Sequence, residues 1–177
     1  GYDDRHRTLG SFLESALADI ETPFRSIFEK MYPPERFSAE LGGPVPPAFL
    51  AAEKLIINNA LRRAVRSVPV DVDRVRDLLG AAVKWQVKLD TDGIAYDLKL
   101  TLEKMMNAFA AAPGDAEKCT HLLAAVSLAR ALPFPVDLWK VQHFFWGIVA
   151  VYQRFRQREE WARAFVALGE QLHIRVG

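Results

Sequence analysis

Cys119 and His121, two positions apart, are the nearest this chain comes to a metal or nucleophile motif. Residues two apart on a helix point to different faces, and a structural zinc site needs four ligands. No second pair completes the set, so no residue is assigned to a metal. A thiol nucleophile needs a neighbouring base and a lowered pKa, whereas a lone cysteine is usually a buried, inert packing group. Hydrolysis of a glycosidic bond needs two carboxylates that face each other. The acidic residues here fall mostly at helix caps and on solvated faces, and Glu53 stands as a single carboxylate on its helix. There is no glycine-rich phosphate loop, no His-Glu-x-x-His and no Gly-x-Ser-x-Gly. No catalytic or cofactor-binding residue is therefore assigned.

Trp139, His143 and Trp146 follow one another at four- and three-residue steps, so a helix would carry them on one face. Aromatic rings displayed together could stack on sugar rings. The same spacing suits a core stripe or a domain interface, with the indole N–H and the imidazole finding local partners, and burial is the expectation. Asn58 and Asn59 lie inside an apolar helix, where a buried amide must be hydrogen-bonded. One of them is expected to tie this helix to a neighbouring backbone. Arg62, Arg63 and Arg66 form one basic cluster, and Arg154, Arg156 and Arg158 another. The first closes a helix, where cations meet the negative end of the dipole. Both read as solvated faces, since no nucleic-acid motif accompanies them.

The elements that must position these residues are helical. From Leu9 to Met31 apolar residues recur every three or four positions; Pro23 interrupts them, with a kink or break expected near Glu21-Thr22. Pro33-Pro34, Gly42-Gly43-Pro44 and Pro46-Pro47 punctuate a long Pro/Gly-rich loop at about 33–47, expected to be an ordered connector packed by Phe37 and Leu41. Pro47 suits the first turn of a helix running to about Ser67, and Asp71 can cap the next. Asp90-Thr91-Asp92-Gly93 reads as a break. Asp115 caps a further helix, Pro133 and Pro135 frame a turn, and Pro135 or Val136 opens a helix reaching roughly Arg156. A last helix covers Glu159 to Leu172. The expectation is an all-α fold: one bundle-like domain spanning 1–177, with about six or seven mostly antiparallel helices.

Composition agrees with that class. Of 177 residues, 50% are apolar and 25% charged, as in globular proteins and unlike disordered ones. Lys and Arg number 23 against 22 Asp and Glu, a net charge of +1 that gives no long-range pull toward nucleic acid or an anionic membrane. One cysteine cannot form an internal disulfide. The longest apolar run, Phe144–Tyr152, is about half a membrane span. No basic-then-apolar leader opens the chain, so a cytoplasmic protein without a membrane or nucleic-acid partner is expected. An opening Gly1 in place of Met suits a domain excised from something larger.

One segment resembles a known family. Leu132-Pro133-Phe134-Pro135-Val136-Asp137-Leu138-Trp139-Lys140-Val141-Gln142 is similar to a run written Leu-Pro-Phe-Glu-Val-Asn-Leu-Trp-x-x-Gln-Asn. That run occurs late in an uncharacterised helical domain following the catalytic domain of family 57 glycoside hydrolases, described as alpha-amylases or alpha-mannosidases. Pro47, Ala51-Ala52-Glu53, Asn58 and Leu61 give a weaker echo. Here Asp137 replaces the family's Asn, and His143 replaces the Asn that follows Gln. The resemblance implies a non-catalytic accessory domain. Its partner would be the catalytic barrel of the same polypeptide, with alpha-glucan as a further ligand. The rival expectation is a free-standing helical protein-interaction domain with no carbohydrate role.

Overall fold

The computed structural model describes residues 47–177, with side chains from residue 54 onward. The kinked helix expected before Met31, the loop expected after Pro33 and the Glu53 side chain lie outside the described residues. Regular structure within them is entirely helical, so the fold is all-α. The chain divides into two compact units.

Residues 47–63 and 77–89 belong to the first unit. Helix α1 (Pro47–Arg66) supplies all of the former and the end of α2 (Val72–Lys84) much of the latter. Ile57, Leu61 and Leu78 are completely buried, which is the main stabilising contribution of these segments. Asn58 is buried among them and its amide donates twice, to Lys54 O at 2.7 Å and to Lys88 O at 3.1 Å. The expected tie to a neighbouring backbone is present, and Asn59 is exposed. Beyond α2, Gln86 takes a left-handed φ of 54° while Val87 N–H reaches back to Ala82 O and Gln86 N–H to Val83 O. That pair of bonds is a Schellman closure, usually built on glycine.

Residues 64–76 and 90–177 make the second unit. Asp71 accepts from Arg74 N–H at 3.1 Å and caps α2, as its sequence position suggests. Asp90 to Gly93 corrects one expectation, because the segment starts a helix. Asp90 is the N-cap of α3 (Thr91–Ala111) and accepts from Gly93 N–H. A Cβ on Gly93 would run into that carboxylate, so the cap itself selects glycine. Asp115 caps α4 (Ala116–Ala131) by accepting from Lys118 N–H at 3.0 Å. Then come α5 (Trp139–Ile148), a 3₁₀ turn (Val149–Val151), α6 (Tyr152–Phe155) and α7 (Glu159–Gln171).

The long helices of this unit alternate in direction along the chain. Phe145 meets Phe165 and Tyr152 meets Trp161, so α5 and α7 run antiparallel. The successive helices α3 and α4 also pack together, and two further pairings place helices running the same way side by side. Lys99 pairs with Asp137 and Glu103 with Lys140, joining α3 to α5. Gly114 O accepts from Arg158, and Gln171 O accepts from Arg130, joining α4 to α7. The core contains Leu98, Leu102, Met106, Phe109, Leu122 and Val126, all completely buried. Beside them Trp161 and Phe165 stack at 4.6 Å, with Phe145 4.8 Å from Phe165 and Phe155 5.3 Å from Trp161. The Trp161 indole N–H donates to Pro113 O at 2.7 Å, so a buried polar atom is satisfied. Asp97 is buried as well and meets the Arg66 guanidinium at 2.9 Å.

Candidate interaction surface on helix α5

Helix α5 starts later than Pro135 suggests. Leu138 holds the N-cap position, and the carboxylate of Asp137 just before it accepts from Trp139 N–H at 2.9 Å. This bond, with Lys99 at 3.4 Å as a lesser cause, holds the Asp137 carboxyl below its ordinary range. Pro133 and Pro135 sit in the turn before it, as expected. The helix also ends early. The expected single element to Arg156 is divided at Val149–Val151 by the tighter 3₁₀ turn.

Two apolar stripes compete on this helix. Leu138, Val141 and Phe145 form one, and all three are buried. Trp139, His143 and Trp146 form the other, rotated away from it. Trp139 is 69% exposed and Trp146 65% exposed, and His143 is exposed too. Burial in the core or at a domain interface was the expectation; the structure rules out the core for Trp139 and Trp146, which are exposed within this chain. The buried stripe already commits α5 to the bundle, leaving the tryptophans in water.

The exposed stripe is ordered by its own contacts. The His143 imidazole lies nearly parallel to the Trp139 indole, with centroids 5.6 Å apart and 10° between planes. Phe144 meets His143 edge-on at 6.2 Å. Gln142, beside the stripe, donates to Leu172 O at 3.0 Å and fixes α5 against the end of α7. A Cβ on Gly147 would meet nothing within 4 Å, so the surface after Trp146 is open. The nearest charges are paired inside the unit, Lys99 with Asp137 and Lys140 with Glu103 at 3.5 Å. The face is therefore aromatic and electrically balanced, suited to an apolar or uncharged surface more than to an anion.

The remaining candidates separate. Cys119 is completely buried, and burial pushes its thiol up to about 12. Such a thiol is no nucleophile near neutral pH. Among the described residues no group of three or more His, Cys, Asp or Glu side chains could hold a metal ion. Arg66 is engaged with Asp97, while Arg154 and Arg158 lie over the Phe155 ring at 5.3 and 4.9 Å. An open cavity of about 410 Å³ lies along the turn before α5, lined by Leu132, Phe134, Val136 and Leu138 with Arg130 as its charged side chain. The cluster around Trp161 was not singled out from sequence; Tyr152, Phe155, Trp161 and Phe165 spread over two helices, so no single-helix stripe announces it. No helix among the described residues is long and apolar enough to cross a membrane. No family model, curated protein or solved structure matches the chain.

Proposed function

We propose that this chain is a non-catalytic helical docking domain whose α5 face closes against a catalytic domain of the same polypeptide. The observation that carries the proposal is the exposed Trp139–His143–Trp146 stripe on a helix whose other apolar stripe is already buried. At 69% and 65% exposure, the two indoles leave on the order of 300 Å² of aromatic surface in water. Interfaces between domains of one chain bury roughly 600–1,500 Å² over both sides, so this stripe supplies the centre of one such side. A stable interface between separate proteins buries about 800 Å² per partner, more than the stripe offers.

The resemblance of Leu132–Gln142 names the partner in this reading: the catalytic barrel of a family 57 glycoside hydrolase, in a cytoplasmic enzyme acting on alpha-glucan. Those residues build the turn and first turn of α5, and so one end of the same face. A stripe at the edge of a glucan cleft could also touch the polymer.

The test compares tryptophan oxidation by N-bromosuccinimide, read by mass spectrometry, in this chain alone and in its parent polypeptide. Trp139 and Trp146 are expected to react in the isolated chain and to be protected in the parent. Equal reaction in both would defeat the docking reading. A parent without a glycoside hydrolase barrel would defeat the choice of partner and favour a free-standing interaction domain.

A further inference from the structure

We draw no further inference here: the strongest candidate, the open cavity along the Leu132–Leu138 turn beside helix α5, presents an apolar lining with one arginine, and nothing in the structure shows what covers it.

Discussion

Replacing Trp161 by alanine tests how the second unit is held together. Its side chain is 1% exposed, stacks on Phe165 at 4.6 Å and donates its indole N–H to Pro113 O. Loss of a buried aromatic combines the transfer free energy of the ring with a cavity that the neighbours fill only in part, about 3–5 kcal/mol. For a protein of this size each kcal/mol moves the melting midpoint by about 2–4 °C, so a drop of roughly 6–20 °C is expected. Trp161→Phe keeps most of the ring but leaves Pro113 O without its donor, and should cost about 1–2 kcal/mol. Trp139→Ala changes an exposed ring and should stay within about 0.5 kcal/mol. Thermal unfolding followed by circular dichroism measures all three. A Trp161→Ala midpoint within about 2 °C of the parent, or a Trp139→Ala loss as large as that of Trp161→Ala, would refute the assignment of core and surface.

His173 has a left-handed φ of 57° where the closure of α7 would suit glycine, so His173→Gly should raise stability by about 0.5–1 kcal/mol in urea denaturation; a loss would show that the imidazole makes compensating contacts. Cys119 should resist a disulfide reagent at pH 8 until the protein is unfolded, because its thiol is held up to about 12; rapid labelling of the folded chain would contradict its burial. Asp137→Ala should lower the melting midpoint near neutral pH by removing the acceptor for the first N–H of α5, and Asp137→Asn, which keeps an acceptor oxygen, should lower it less. The folded Asp137 carboxyl is held low, so its contribution is fully present above the ordinary carboxylate range and is lost as pH falls through the folded value. The midpoint difference between parent and Asp137→Ala should therefore persist at pH 6 and shrink only below about pH 4.

The parts of this fold that were legible in the sequence are those decided locally. Asp71 and Asp115 cap because a short carboxylate reaches an N–H three residues ahead whatever surrounds it. Asn58 was legible in kind but not in partner, since Lys88 O lies thirty positions away along the chain. Which stripe of α5 faces the core was not legible, for a different reason. Leu138/Val141/Phe145 and Trp139/His143/Trp146 have the same helical spacing, and spacing cannot say which of two apolar stripes turns inward. That choice belongs to α3 and α7, which pack on α5 from elsewhere in the chain. The late start of α5 was hidden too, because a proline can open a helix but a carboxylate two residues on can hold the chain back by accepting from a later N–H.

The three residues Val149–Val151 have an angular consequence. An α-helix advances about 100° per residue and a 3₁₀ turn about 120°, so three tighter residues add about 60° of rotation to all that follows. In an unbroken helix Tyr152 and Phe155 would point about 20° and 80° to one side of the direction of Phe145. With the added rotation they straddle that direction, and both rings meet Trp161. The turn thus acts as a phase corrector between a helix that shows indoles to solvent and a segment that turns its rings inward. Inserting or deleting one residue within it would shift the phase by about 120°, more than the correction itself. The ring cluster should consequently tolerate substitutions at Val149–Val151 far better than changes in their number.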